Sequence, residues 1–377
     1  MDVSALGMAL KRVKLKKNKE VNDRSAPMMK AGLEKKDLDQ YYKDVQDTYV
    51  ESWEPLLTAK GLTFRTAYVP MQKKEAEAMV KAYEAHEKLS EEEKKGKHYA
   101  KFYAMLLKDP VFSKMQETLQ KQIDECLNLF KCDKVFVKGS SRSAKDAVID
   151  LQNMTADFES RCQNVKKQKG EGGKCDLNSG VVSLLGAGKD AMSGTSAQYF
   201  LQLFVRSERI YQDMRLALQM KDFKSGWAIR EWIDVDIGME FRGFVYRRKF
   251  CALCQYDYLV KVEHLQDSKT RQDIISTIEK FYANSVAPAL HREESPFQNY
   301  IADFAIDTTG KCWIIELNPY QESTDGAMFS WATEKQLLST EPLNFRYQSV
   351  PQNATVALGK KWRKLLNSTL KRINAEA

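Results

Sequence analysis

The residues best placed to do chemistry sit on one expected hairpin in the C-terminal third of the chain. Asp303 lies in the apolar run Tyr300-Ile-Ala-Asp-Phe-Ala-Ile306, and Glu316 and Asn318 close the run that starts at Lys311. In a strand, residues i and i+2 share a face. Glu316 and Asn318 are therefore expected to project together, with Ile315 and Leu317 on the other face. The turn Asp307-Thr-Thr-Gly310 folds Asp303 back alongside them. Two carboxylates and an amide oxygen make a set of hard oxygen ligands, the kind magnesium takes when substrate phosphates complete its shell. The plain alternative is an ordinary hairpin whose polar face meets water.

Two further stretches could handle a nucleotide. Lys138 ends the strand-like run Val135-Phe-Val-Lys138 and precedes Gly139-Ser-Ser-Arg-Ser-Ala-Lys-Asp146. Small residues such as Ser140 and Ser143 let backbone amides approach phosphate oxygens, while Lys138, Arg142 and Lys145 supply positive charge. The spacing is not that of a Walker A loop. The second stretch is Ile229-Arg-Glu-Trp-Ile-Asp-Val-Asp236. A strand followed by acidic residues can offer a backbone edge to adenine and carboxylates to ribose hydroxyls. Arg242, just beyond, could reach a γ-phosphate or an acyl phosphate with its planar fork. For Arg230 and Arg242 the plain alternative is a surface salt bridge.

These groups need strands to carry them and helices to cover the sheets. Residues 74–130 read as helical, with Val111, Phe112, Met115, Leu119, Ile123 and Leu127 on one stripe. Ala197 to Met220 and residues 271–287 read the same way, and Trp362 to Ile373 forms a basic amphipathic helix able to dock on the body or on a partner. From Trp227 onward the texture is strand-like, with a hairpin expected around Arg247-Arg-Lys249. The Gly/Lys-rich residues 165–181 read as a mobile loop. The fold class expected is α+β with antiparallel sheets. The boundaries expected are a basic disordered tail over 1–45, a body over 46–350 with lobes 46–134, 135–230 and 231–350, and a C-terminal helix within 351–377.

Composition bounds the rest. The chain has 377 residues, 43% of them hydrophobic, enough to bury a sizeable core. No apolar run reaches the roughly 20 residues that span a bilayer. The net charge of +8 permits acidic partners or nucleotides without demanding them. No nucleic-acid recognition motif is present; an RNA-binding reading would rest on the basic tail and the Arg247–Lys249 turn. Seven cysteines, odd in number and irregularly spaced, read as reduced thiols of a cytoplasmic or nuclear protein. Cys251 and Cys254 lack the second pair that zinc would need, and the four histidines are scattered. The basic run Lys11–Lys17 follows an apolar stretch, the reverse of a secretory signal, and leaves nuclear import open.

Taken in order, these elements resemble the ATP-grasp superfamily, and three stretches resemble the cell division cycle protein 123 family in particular. They are Lys138 to Ala147, the segment Arg230 to Val245, and Ile315-Glu-Leu-Asn-Pro-Tyr-Gln-Glu-Ser-Thr-Asp325 with Phe329 and Trp331 after it. The resemblance implies an ATP-grasp fold, two lobes with antiparallel sheets clasping Mg-ATP. It implies phosphate contacts from Lys138 and Lys145 beside Ser140 and Ser143. The nucleotide hinge would run from Arg230 through Glu231 and Trp232 to Ile233, with Asp236 beyond it. Asp303, Glu316 and Asn318 would hold magnesium, and Arg242 would act near the γ-phosphate. It further implies an assembly factor, or chaperone, for eukaryotic translation initiation factor 2 acting through the γ subunit. The alternative is an ATP-dependent carboxylate-amine ligase working through an acyl phosphate, since the same residues bind ATP whether or not it turns over. The chain departs from the family at Ser141, Ala144, Tyr256 and Glu316.

Overall fold

The computed structural model describes residues 35–293, 295–352 and 358–375. The basic run Lys11–Lys17 lies outside them. The expected α+β class with antiparallel sheets is what forms. The chain divides into two compact units, each discontinuous in sequence. One gathers the segments up to Ser52, Arg65–Val148 and Met192–Trp232. The other gathers Trp53–Phe64, Ile149–Ala191 and the segment from Ile233 onward.

The first unit opens with helix α1 (Lys35–Asp47), which starts inside the stretch read from sequence as an unstructured tail. Helix α2 (Val50–Thr58) follows and belongs to the second unit from Trp53 onward. The sheet of this unit runs β1 (Thr66–Pro70), β4 (Gly226–Glu231), β2 (Val135–Gly139), β3 (Ser193–Gly194) in spatial order, all antiparallel. The long helical stretch breaks into α3 (Lys73–Glu87), α4 (Gly96–Leu106) and α5 (Pro110–Phe130). Helix α5 starts where it does because Asp109 accepts from the backbone N–H groups of Val111 and Phe112, at 2.8 and 3.3 Å, and Pro110 occupies the first turn. Its stripe Phe112, Met115, Leu119 and Ile123 is buried as expected. Cys126 and Phe130 continue the stripe in place of Leu127.

Ala197 to Met220 likewise forms two helices rather than one. They are α8 (Ala197–Arg206) and α9 (Glu208–Gln219), which follow α6 (Gln152–Gln168) and α7 (Leu177–Asp190) of the second unit in the chain. Ser207 divides them and caps α9, its hydroxyl accepting from Ile210 N–H. Phe204 of α8 stacks on Trp227 of β4 at 4.4 Å, which ties helix to sheet. Gly226 begins β4 in a crowded position. A Cβ there would sit 2.5 Å from the Tyr68 ring and 2.6 Å from the Val69 carbonyl oxygen. Gly226→Ala should cost about 1–3 kcal/mol, as overpacking does, read as a lower denaturation midpoint in urea.

The second unit is built on the sheet β8 (Cys312–Pro319), β7 (Tyr300–Ile306), β5 (Glu240–Tyr246), β6 (Lys249–Gln255), β9 (Asn344–Arg346). All pairings are antiparallel except β6 with β9. Helix α10 (Ser268–Phe281) leads through a π-turn into α11 (Ala287–Leu290). Helices α6 (Gln152–Gln168) and α7 (Leu177–Asp190) pack against each other. The Gly/Lys stretch is thus a connection of residues 169–176 only, because both flanks are helical. Helix α12 (Lys360–Ala375) docks on that pair with Leu366, Thr369 and Ile373 buried. Gly180 and Gly188 of α7 make room for it, lying against Leu370 and Trp362. No described helix is long and apolar enough to cross a membrane.

The hairpin between β5 and β6 turns at Arg247 and Arg248, both left-handed, with φ of 48° and 64°. That geometry usually takes Asn-Gly. Here tertiary bonds hold it: Arg247 N–H donates to Asn299 Oδ1 and Arg248 N–H to the Gln298 carbonyl, each at 2.8 Å. The Arg248 guanidinium donates to the Arg292 carbonyl at 3.1 Å, and Lys249 pairs with Glu341 at 2.5 Å. Two of the three basic side chains that an RNA reading would use are thus engaged within the protein.

Below this turn, His291 Nε2 lies 3.0 Å from the Tyr300 hydroxyl. Burial, with the Arg248 charge, pushes the imidazole down from 6.5 to about 4. The unfolded chain therefore binds the proton first as pH falls. The stability held by neutral His291 is complete above pH 6.5 and should be lost between 6.5 and about 4. His291→Gln should flatten that part of a stability-versus-pH curve.

Candidate functional site

In the first unit the site begins at the end of β2. Lys138 is buried at 3% exposure and its amine donates to the Ser141 carbonyl at 3.3 Å. The loop after it is braced from within. Gly139 N–H donates to the Arg142 carbonyl at 3.0 Å, closing a turn. Ser140 is buried, with its N–H on the Gly226 carbonyl and its hydroxyl 3.3 Å from that of Tyr68. Asp146 accepts from Ser207 Oγ at 2.6 Å and from Arg209 N–H at 3.2 Å, and Arg209 Nε donates to the Ser143 carbonyl at 3.2 Å.

Two sequence expectations change here. Arg142 supplies no free charge to the loop, because its guanidinium is paired with Asp213 and also donates to the Arg209 carbonyl. The Gly139 and Ser140 amides are taken by carbonyls of the protein, so any anion would meet the amides further along. Lys145 stands exposed at the loop's outer side.

Arg230 and Glu231 end β4 in the same unit. Arg230 is 1% exposed and its Nε donates to Thr66 Oγ1 at 3.2 Å, so it is an interior residue and not a surface pair. The Glu231 carboxylate accepts from Arg65 Nε at 2.6 Å and Arg65 N–H at 2.8 Å, and the Glu231 N–H donates to the Arg65 carbonyl at 2.9 Å. Arg65, a partner that sequence reading missed, thereby fixes the end of β4. Trp232 carries the Lys134 ammonium 4.9 Å over its ring.

In the second unit, Ile233 is half-buried, and Asp236 is exposed, capping the Gly238 N–H at 2.7 Å. The segment 234–237 forms one wall of a cleft of about 440 Å³; Arg161, Lys189 and Asp190 of α6 and α7 stand in the other. Lys189 reaches across, donating to the Val235 carbonyl at 2.5 Å and pairing with Glu240.

The acidic ribbon is the best-defined part. Asp303 of β7 faces Glu316 of β8 directly, and Ile301 faces Asn318. The register slips between Asp303 and Phe304, so Ile315 is the extra residue of a β-bulge. Ile315 is half-buried, not packed with Leu317 on the inner face as simple alternation predicts. The bulge leaves Glu316 and Asn318 both half-buried beside Asp303.

Asp303 itself is 2% exposed and bonded on several sides. Arg242, opposite it on β5, donates Nε to Oδ1 and Nη2 to Oδ2, both at 2.8 Å, and Nη1 to the Asp325 carbonyl at 2.6 Å. Asn318 Nδ2 donates to Asp303 Oδ2 at 3.2 Å. The Tyr256 ring lies 5.0 Å from the Arg242 guanidinium carbon. Gly243 leaves the space next door to the rings of Phe250 and Phe304, which a Cβ would meet at 2.5 and 2.7 Å. Burial works against the Arg242 charge, but the Asp303 carboxylate and its hydrogen bonds outweigh it and hold the guanidinium above the usual arginine pKa.

The ribbon's chemistry fits a magnesium-phosphate group. Each carboxylate oxygen offers two lone pairs, and Asp303 Oδ1 accepts the Arg242 Nε. With Asn318 Nδ2 turned to Asp303, the amide oxygen is the atom offered to a cation. Among the described residues no three His, Cys, Asp or Glu side chains cluster into a self-sufficient metal site. A cation here would therefore need phosphate oxygens to complete its shell. Asp325 and Tyr256 were the positioning groups that sequence reading did not assign. The signal was present, since Asp325 closes the long motif that starts at Ile315.

Comparison with known proteins sets this geometry in context. Residues 189–366 match the D123 family profile. The chain is similar to the translation initiation factor eIF2 assembly protein of Danio rerio, 31% identical over 104 residues, 28% of this chain and 28% of that protein. It is similar to cell division cycle protein 123 of Eremothecium gossypii, 32% identical over 110 residues, 28% of this chain and 27% of that protein. The matched segments thus span under a third of these relatives' length. The solved structure of Cdc123 from Schizosaccharomyces pombe superposes with a TM-score of 0.55, covering 82% of this chain and 98% of that one at 19% identity, which shows a shared fold.

Proposed function

Because the chain carries the D123 pattern over residues 189–366 and the fold of Cdc123, we propose that it is an assembly factor for eukaryotic translation initiation factor 2, acting on the γ subunit with Mg-ATP bound. The ATP-grasp reading, with residues 46–350 as the nucleotide-binding body and the protein working in the cytoplasm, is part of this proposal. The observation that carries it is the cross-strand set Asp303, Glu316 and Asn318 with Arg242 fastened to its centre. Relatives similar to the chain over 104 and 115 residues are named as assembly proteins for that factor.

In this reading Asp303, Glu316 and Asn318 hold magnesium, which would neutralise the phosphate charge. Lys138 and Lys145 contact phosphates alongside Ser140 and Ser143. The backbone from Arg230 through Glu231 and Trp232 to Ile233 takes the base, and Asp236 the ribose. Arg242 is better suited to orient Asp303 than to follow a moving phosphoryl group, since three of its N–H groups already donate to Asp303 and to the Asp325 carbonyl. That favours a nucleotide held for shape over the carboxylate-amine ligase reading.

The test is capture by the tagged full-length chain from a eukaryotic lysate with and without Mg-ATP. Recovery of the initiation-factor γ subunit, strengthened by the nucleotide, is expected. A chain that retains Mg-ATP but captures no initiation-factor subunit overturns the partner.

A further inference from the structure

The turn after Lys138 is tied down by Glu51 and Tyr68, two side chains to which no role has been assigned. Across the first unit's sheet, Tyr68 of β1 and Lys138 of β2 both lie opposite Ala228 of β4, so their side chains share one face. The Tyr68 hydroxyl lies 3.0 Å from Oε1 of Glu51, in the first turn of α2, and 3.3 Å from Ser140 Oγ. Gly226 leaves the phenol its place, since a Cβ there would meet the Tyr68 ring and hydroxyl at 2.5 Å. The Ser140 backbone is fastened as well. Its N–H donates to the Gly226 carbonyl at 3.1 Å, and its carbonyl accepts from Val50 N–H at 2.9 Å.

The protons give this chain of groups a direction. A carboxylate accepts only, and a phenol has one proton to donate. Tyr68 therefore donates to Glu51, and the contact with Ser140 is made by the serine hydroxyl donating to the Tyr68 oxygen. Burial, joined by the Glu51 charge, raises the phenol's pKa, so it keeps its proton. Glu51 Oε2 is buried and accepts no hydrogen bond among the described residues. A buried polar atom left unpaired costs stability, and a plain tether between helix and sheet would not need the charge. The charge makes the chain one-way: both the N–H and the O–H of Ser140 are directed into the protein. Ser140 is thereby fixed at the bend, with the Lys138 amine on the neighbouring Ser141 carbonyl at 3.3 Å. We propose that Glu51 and Tyr68 are positioning residues of the nucleotide site: acting through the Ser140 hydroxyl, they hold the 138–143 turn in the form that takes the terminal phosphates of ATP. The assignment rests on the Mg-ATP reading above. Ser140 serves the phosphates by its place in the turn and not by a proton of its own.

The test is a double-mutant cycle on the full chain. ATP and AMP are titrated calorimetrically in excess magnesium, and urea midpoints show that each variant is folded under the titration conditions. Tyr68→Phe, Glu51→Ala and Ser140→Ala should each weaken ATP binding about tenfold, the scale of one net hydrogen bond. Tyr68→Phe combined with Ser140→Ala should bind ATP no worse than Ser140→Ala alone, because Tyr68 acts only through that hydroxyl. AMP, which lacks the terminal phosphates, should bind every variant as it binds the parent. Equal losses for ATP and AMP would mark a general weakening of the fold and overturn the assignment. Losses that multiply in the double variant, or ATP binding unchanged by Tyr68→Phe, would overturn it too. A parent chain that binds no ATP overturns the nucleotide reading itself, and this assignment with it.

Discussion

Asp303→Ala should lower stability by about 3–5 kcal/mol before any ligand is added. The reason lies with its partner. Arg242 is 7% exposed and donates to both Asp303 oxygens. Removing the carboxylate leaves a buried guanidinium without its counter-charge, the costly half of a broken ion pair. Urea unfolding of the variant measures the loss. Replacing both partners by apolar residues of similar size, Asp303→Leu with Arg242→Met, should recover much of it, since the buried charge goes with the carboxylate. Equal losses in single and double variants would mean the pair is not the source. Asp303 is therefore a poor probe of ligand binding, because its removal disturbs fold and site together.

Glu316→Gln and Asn318→Ala are the cleaner probes, and they should cut Mg-ATP affinity by at least the ~10–100-fold that loss of even an outer-shell metal partner costs. Both side chains are half-buried at the open side of the ribbon, and neither neutralises Arg242. Unfolding midpoints should stay near that of the parent chain. Calorimetric titration reads the affinity. A Glu316→Gln chain that binds Mg-ATP as the parent does removes this carboxylate from the metal set. A loss confined to Lys138→Ala would place the nucleotide's main hold on the first unit.

Much of the ribbon was legible because its signals are local. A short, nearly continuous apolar run marks Tyr300–Ile306, and Asp307-Thr-Thr-Gly310 specifies a turn, with Asp307 Oδ1 accepting from Thr309 and Lys311 N–H groups at 2.8 and 3.1 Å. The bulge at Ile315 was not legible, since an extra residue is visible only once the partner strand fixes the register. The Arg242–Asp303 pair was not legible either. It depends on β5 and β7 lying side by side, two strands separated in sequence by β6, α10 and α11. The same limit hid Arg65 beneath Glu231 and Asp213 beneath Arg142. Arg142 and Arg242 each read as a ligand for phosphate until a distant carboxylate is placed beside it. Where composition misled, it did so at boundaries. Glycine and lysine from 165 to 181 suggested one long loop, yet Lys166 and Lys167 extend α6, and Asp176 caps α7 by accepting from Ser179 N–H at 2.9 Å.

The central claim is that the Asp303–Glu316–Asn318 ribbon holds ATP through magnesium. Titrating the unmodified chain with ATP, once in excess magnesium and once in a chelator, tests it most directly. Saturable one-to-one binding that weakens sharply when magnesium is withdrawn is the predicted result. Binding of equal strength in the chelator, or no heat of binding in either condition, would contradict it.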